Sequence, residues 1–138
     1  MIEIINLTPH AVSLYSQSDC EEVTQGNFKT LVLKEGAKPK CVYPSKGVAR
    51  ASAAKAVVRN LLIGDMLVPV NANIYWQPEG LPEPVKDRYY IVSVITAQAA
   101  KDRKDLLIVD STVRDSEGRI CGCTAFALAR SRTAEEPE

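Results

Sequence analysis

The chain has 138 residues, of which 46% are hydrophobic and 25% are charged, and this composition is typical of one globular domain. Lys plus Arg total 17 and Asp plus Glu total 17, and this zero net charge argues against long nucleic acid as the main partner. No stretch of about 18 residues is apolar enough for a membrane span, and the first residues lack the basic region of a signal peptide. We therefore expect a cytoplasmic protein without a membrane partner, in which the cysteines are free thiols.

Short strands dominate the pattern of apolar and polar residues. In chain order they are predicted at residues 2–6, 11–15, 28–33, 41–43, 66–70, 73–76, 88–95, 106–109, 112–114 and 119–126. The first two flank Thr8-Pro9-His10 and are predicted to form a hairpin, and the last two flank a turn at 115–118. Residues 16–27 are polar and are predicted to be an irregular excursion, and the proline-rich residues 77–85 an ordered loop.

Two segments decide the fold class. Residues 48–59 combine alanines, which favour a helix, with valines, which favour a strand, and the β-rich surroundings favour the strand. Thr96 is a plausible N-cap for a short helix over residues 97–101. The prediction is an α+β, mainly β protein: a compact antiparallel-rich sheet or barrel-like domain with one short helix near 96–101. It spans residues 1–130, and a flexible acidic tail follows at 131–138.

Catalytic residue sets are scarce in this sequence. His10 is the one histidine, and no G-x-S-x-G nucleophile motif occurs. His10 is either a turn histidine bonded to nearby backbone or a ligand contact, and a general acid–base pair would have to join it to Asp105 or Asp110. We therefore favour a binding protein over an enzyme.

Metal and cofactor signals are equally weak. The sequence lacks a phosphate loop of the G-x-x-x-x-G-K type and a G-x-G-x-x-G fingerprint. Cys121 and Cys123 lie on one face of a predicted strand, where small core residues are the favoured interpretation and a zinc site is the alternative. We expect no metal site and no cofactor.

One turn has parts that suit an anion. In Pro44-Ser45-Lys46-Gly47-Val48-Ala49-Arg50, a tight bend can point backbone N–H groups into a concavity, the Ser45 hydroxyl adds a donor, and Lys46 and Arg50 add charge. The alternative is an ordinary β-turn with a solvated lysine. The charged residues 101–105 are a solvated surface unless Arg103 turns inward beside Asp110 and Arg114.

Taken together, these segments resemble a family of small phage proteins with a fixed order of motifs. The corresponding segments are N-L-T-P-H at 6–10, P-S-K-G-V-A-R at 44–50, G-L-P-E-P at 80–84, Y-I-V-S at 90–93, a basic–acidic segment at 103–105 and V-R-D-x-x-G-x-I-x-G at 113–122. The resemblance covers most of residues 2–124. It departs from the family pattern at Lys46, which lengthens the turn between Ser45 and Gly47.

The resemblance implies a role in evading bacterial immunity. Small phage proteins of this size include sponges that sequester nucleotide signals, and those similar to the Thoeris anti-defence proteins trap cyclic ADP-ribose isomers without cleaving them. Others trap cyclic oligonucleotides. We expect a similar sponge in the host cytoplasm, built as a homo-oligomer because a small chain encloses a ligand more fully when subunits share the site. A phage structural or adaptor protein and a signal-degrading enzyme are the alternatives.

The predicted site combines arginines for phosphates with polar and aromatic contacts for bases. Arg50, Arg103 and Arg114 are the phosphate candidates, and Tyr75, Trp76 or Tyr90 are the stacking candidates, with core positions as the alternative for Tyr75 and Trp76. The complete set of ligand-binding candidates is Asn6, Thr8, His10, Pro44, Ser45, Arg50, Leu81, Tyr90, Arg103, Asp110 and Arg114.

Overall fold

The computed structural model describes residues 1–129, and the predicted acidic tail at 131–138 lies outside them. The strands of the described part are β1 (Glu3–Asn6), β2 (Val12–Leu14), β3 (Cys20–Gln25), β4 (Phe28–Leu33), β5 (Cys41–Tyr43), β6 (Ala53–Ile63), β7 (Met66–Tyr75), β8 (Arg88–Ile91), β9 (Leu106–Arg114) and β10 (Ile120–Ala127). One α-helix, α1 (Val94–Ala99), and a short 3-10 turn at Gln17–Asp19 complete them. The mainly β fold class with a short helix is confirmed.

Most strands belong to one sheet that curls into a nearly closed barrel. Its order is β1-β8-β9-β10-β2-β5, and a parallel bridge between Asn6 and Ser45 joins the ends. The Lys46 N–H donates to the Asn6 carbonyl at 2.8 Å across this closure. The β3–β4 hairpin attaches to the far half of β9 through parallel pairing with β4. Because closure removes free strand edges, the barrel can be stable with short strands.

The core lies where β8 crosses the barrel between β1 and β9. Tyr90-Ile91-Val92 is a β-branched and aromatic run, and all three residues are buried. Tyr90 and Val92 pack with buried residues from several other segments, namely Leu7, Ala49, Ala97 and Leu106. The strand ends at Ile91 because Ser93 caps α1: its Oγ accepts the Thr96 N–H at 3.3 Å. The predictions of a strand to residue 95 and of an N-cap at Thr96 were therefore wrong.

Two further expectations were wrong for identifiable reasons. Residues 2–6 and 11–15 form no hairpin, since β1 pairs with β8 and β2 pairs with β5 and β10. The Asn6 side chain fixes the intervening bend by donating to the His10 carbonyl, and this bend leads β2 away from β1. Residues 16–27 contain β3, whose polar composition hid a strand that pairs with β4 along its full length.

A long hairpin, formed by β6 and β7, lies outside the barrel sheet. The strand prediction for 48–59 was right in type, but β6 begins at Ala53 and extends to Ile63. The two short strands predicted around Pro69 are one continuous strand, β7. A proline is tolerated there because β7 is an edge strand of a two-stranded sheet. We call this β6–β7 hairpin the arm. Within residues 1–129, no helix combines the length and apolar character that a membrane span requires.

Candidate functional site

Asn6 connects the N-L-T-P-H bend to β5. The residue is buried, and its Nδ2 donates to the carbonyls of His10 at 2.7 Å and Tyr43 at 2.9 Å. Its Oδ1 accepts the Thr8 N–H at 3.0 Å and the Thr8 hydroxyl at 2.6 Å. An amide group offers two donors and one acceptor oxygen, so all of its bonding capacity is used inside the protein. Asn6 therefore shapes the site and presents no free group to a ligand.

The Ser45 turn is fastened to the same bend. The Ser45 hydroxyl donates to the Thr8 carbonyl at 2.6 Å and lies 3.2 Å from the Gly47 carbonyl. These bonds fix the turn and leave the Lys46 side chain exposed beside it. Two segments about 37 residues apart, N-L-T-P-H and P-S-K-G-V-A-R, thus form one rigid unit.

The following segment holds the proline-rich loop in place. Arg50 and Glu79 exchange backbone hydrogen bonds at 2.9 and 2.7 Å. A Cβ at Gly80, where φ is +80°, would lie 2.8 Å from the Val48 carbonyl oxygen, so this approach requires glycine. Leu81 then packs against the core cluster. The Arg50 side chain is exposed, and its assignment as a phosphate contact stays a prediction.

Arg103 is turned inward, but it bonds Asp105 and not Asp110, so the condition of an inward Arg103 beside Asp110 and Arg114 is not met. Its Nε and Nη2 donate to the two Asp105 carboxylate oxygens at 2.8 and 2.7 Å, and Nη2 also donates to the Pro82 carbonyl at 2.9 Å. The hydrogen bonds that Arg103 donates to Asp105 raise the pKa of Arg103 above its usual value. Arg103 therefore holds the G-L-P-E-P loop in place through its bond to the Pro82 carbonyl.

These braced motifs surround a cleft of about 450 Å³ along β1. Four of the recognised segments contribute to its lining, through Asn6 and Leu7, through Pro44 and Lys46, through Pro82, and through Tyr90. The other lining residues come from β1, from the end of β5 and from the start of β8. We call this space the motif cleft.

The charges of the motif cleft favour an anion. Lys46 and Arg88 line it with the Glu3 carboxylate, which lies 2.5 Å from the Arg88 Nε. The Tyr90 hydroxyl and Glu3 raise the pKa of Arg88 above its usual value. Lys46 takes part in none of the ion pairs formed within residues 1–129, so its ammonium is available. Burial raises the pKa of Tyr43, which keeps this lining phenol neutral.

Of the eleven predicted ligand-binding residues, Asn6, Pro44 and Tyr90 line the motif cleft, and the other eight are not part of its lining. Asp110 and Arg114 are exposed on the second half of β9, and Arg114 donates to the Gly118 carbonyl at 2.7 Å. His10 is exposed, and within residues 1–129 no hydrogen bond or ion pair joins its side chain to Asp105 or Asp110. Tyr75 donates to Gln98 at 2.8 Å at the base of the arm, next to the exposed Trp76.

Cys121 and Cys123, the two cysteines of β10, differ in their burial. Cys123 is fully buried, in agreement with a core position, and burial raises the pKa of its thiol. Cys121 is partly exposed, and its Sγ lies 3.4 Å from the Val113 carbonyl oxygen. Among the residues that the structure describes, no three His, Cys, Asp or Glu side chains form a group that could hold a metal ion.

Sequence reasoning missed several residues of the cleft wall. Glu3 and Arg88 sit opposite each other on the parallel pair β1–β8, and this pairing was not foreseen. Tyr43 was recognised only as part of a strand. The one available signal was Lys46, a cation in the turn that was predicted to suit an anion, which lines the cleft.

Comparison with known proteins gives no further guide to this site. Neither family models, nor curated proteins, nor solved structures contain a match to this chain. The function of the motif cleft is therefore inferred from its own residues.

Proposed function

We propose that this protein binds a small nucleotide signal in the motif cleft and sequesters it without cleaving it. In this role it is a phage anti-defence protein acting in the host cytoplasm, with a cyclic ADP-ribose isomer or a cyclic oligonucleotide as its ligand. The observation that carries the proposal is the convergence of separate motifs on one cleft. Segments centred near residues 7, 45, 82 and 90 each place a side chain in its wall.

The size of the cleft suits a small molecule. Its volume of about 450 Å³ lies within the range of roughly 300–1,000 Å³ that is usual for ligand pockets. The walls are also rigid before any ligand arrives, because Asn6, Ser45 and Arg103 hold them through hydrogen bonds. A preformed pocket loses little conformational entropy on binding, which favours the high affinity that a sponge needs.

The chemistry of the lining suits phosphates and an aromatic base. Lys46 supplies a point charge on a flexible side chain. The Arg88 guanidinium donates to Glu3 through Nε, and its Nη groups remain as donors that can bind a phosphate through parallel hydrogen bonds. Tyr43 supplies partly exposed ring surface, and stacking on such a ring is worth roughly 1–3 kcal/mol per base. The Tyr90 ring is buried in the core and offers no face to a base. The lining carries two cations and one carboxylate, a surplus of positive charge.

A capture-and-release assay tests this function. The purified protein is incubated with cyclic ADP-ribose isomers and cyclic di- and trinucleotides, free nucleotide is filtered off, and the protein is then heat-denatured. We expect one nucleotide to be depleted and to return intact. A nucleotide that returns cleaved would show that the protein is an enzyme. If no nucleotide of the panel is depleted, the proposal of nucleotide binding is wrong.

An adaptor role is the second candidate, and one observation favours it. The arm exposes large apolar residues such as Leu62 and Leu67, and surfaces of this kind commonly contact other proteins. An adaptor would deplete none of the nucleotides and would bind a different phage protein through the arm. The two candidates are thus separated by the same capture assay.

A further inference from the structure

The arm has one almost entirely apolar face. Directly opposed residues of an antiparallel pair share a face, and alternate pairs lie on opposite faces. The pairs on the first face are Ile63 with Met66, Leu61 with Val68, Arg59 with Val70, Ala56 with Ala72 and Ala54 with Ile74. Arg59 is the only charged or polar residue among them. We call this set the apolar face.

The opposite face of the arm has a different composition. Its pairs are Leu62 with Leu67, Asn60 with Pro69, Val57 with Asn71, Lys55 with Asn73 and Ala53 with Tyr75. The middle of this face carries three asparagines and a lysine, as expected for a surface in contact with water. The arm is therefore amphipathic, and the apolar face calls for a covering layer.

The rest of the described chain does not supply that layer. On the apolar face, Leu61, Ile63, Met66 and Ile74 leave 46%, 56%, 60% and 45% of their surface exposed. An isolated two-stranded hairpin is at best marginally stable in water, because stability normally requires a third strand or a packed face.

The edges of the arm argue for packing through the face and against extension of the sheet. Pro69 removes a backbone donor from the edge strand β7. The register shift between Val57 and Arg59 marks a β-bulge at Val58 in β6. Prolines and bulges are the devices by which natural sheets prevent pairing at an edge. Both edges carry such a device, whereas the apolar face carries a single charged side chain, Arg59.

We propose that the apolar face packs against the same face of a second copy of this chain, so that two arms form a four-stranded sandwich. Strands of ten residues at about 3.3 Å per residue and a width of about 10 Å give each face roughly 330 Å² of flat area. This flat area is about 40% of the roughly 800 Å² per partner that a stable interface buries, and the corrugated side chains and the arm tips add to it. The zero net charge of the chain adds no repulsion between copies.

Adjacent leucines on opposite faces provide a matched test. Leu61 lies on the apolar face and Leu62 on the other face, where it is 70% exposed. In analytical ultracentrifugation without any nucleotide, we expect the wild type to sediment as a dimer or a larger even-numbered assembly. Leu61→Asp should halve the mass and weaken association by about a hundredfold, because a carboxylate would be buried in the interface. Leu62→Asp should sediment like the wild type.

A milder pair keeps the test valid if an aspartate unfolds the arm. Val68→Thr on the apolar face and Val57→Thr on the opposite face preserve side-chain shape and strand propensity. We expect only Val68→Thr to weaken association. A monomeric wild type, or equal effects of the two leucine variants or of the two threonine variants, would overturn the proposal. Since no nucleotide is present, these outcomes are independent of the capture assay.

Discussion

The barrel and the arm are stabilised in different ways. In the barrel, Tyr90, Ile91 and Val113 are buried almost completely, and side-chain hydrogen bonds tie distant segments to one another. In the arm, no residue of β6 or β7 is fully buried. The barrel thus contains its own core, whereas the arm consists of a strand ladder with one uncovered face. All the motifs that line the cleft belong to the barrel, so the proposed ligand binding and the proposed self-association would use separate parts of the chain.

The largest expected contrast comes from asparagines in the two regions. Asn6→Ala would orphan the carbonyl of Tyr43 and the N–H of Thr8 and should lower the free energy of unfolding by about 4 kcal/mol. Asn73→Ala, on the exposed polar face of the arm, should change it by less than about 0.5 kcal/mol. Urea unfolding followed by circular dichroism measures both values. An equal decrease in the free energy of unfolding for the two variants would contradict the structural role of Asn6 in the barrel.

Two glycines with positive φ give the next contrast. Gly80 in the barrel has φ +80° and Gly64 at the arm tip has φ +63°, so alanine is strained at both positions. Only at Gly80 would the added Cβ meet backbone, with the Val48 oxygen at 2.8 Å, while nothing lies within 4 Å at Gly64. We expect Gly64→Ala to cost about 1 kcal/mol and Gly80→Ala about 3 kcal/mol in the same unfolding experiment. Equal costs would show that the loop can move away from Val48.

The smallest expected effect concerns the thiols of the barrel. Cys41 is exposed, whereas Cys123 is fully buried and burial raises its pKa. Because the thiolate is the reactive form, maleimide at pH near 8 should label Cys41 first and Cys123 only after unfolding. Mass spectrometry of tryptic peptides over time gives the order of labelling. Early labelling of Cys123 in the native protein would indicate that the barrel wall opens.

Local patterns predicted the elements of this fold better than their partners. The strands at Phe28–Leu33 and Cys41–Tyr43 were predicted at their observed positions, because their alternation and turn residues are local signals. The parallel pairing of β1 with β8 joins residues about 85 apart and leaves no local trace. The arm was predicted only in pieces, because Asn71 and Ala72, which separate the two predicted strands, have low strand propensity.

The site was predicted in part for the same reason. Motif residues such as Pro44 and Tyr90 do line the cleft, but Asn6 and Arg103 use their polar groups to brace its walls. A polar side chain in a motif has the same appearance in a sequence whether it contacts a ligand or the backbone behind it. Glu3 and Arg88, which lie outside the motifs, enter the cleft only through the register of the parallel pair.

The most direct test of the motif cleft compares two exposed lysines in the capture assay. Lys46 lines the cleft, and Lys55 lies on the polar face of the arm. Lys46→Ala removes a charge that would contact a phosphate, and such a contact is worth about 1.5–3 kcal/mol, or roughly a tenfold to hundredfold loss of affinity. We expect the nucleotide captured by the wild type to be captured equally by Lys55→Ala and much less by Lys46→Ala. Equal capture by the two variants would contradict the assignment of the ligand to this cleft.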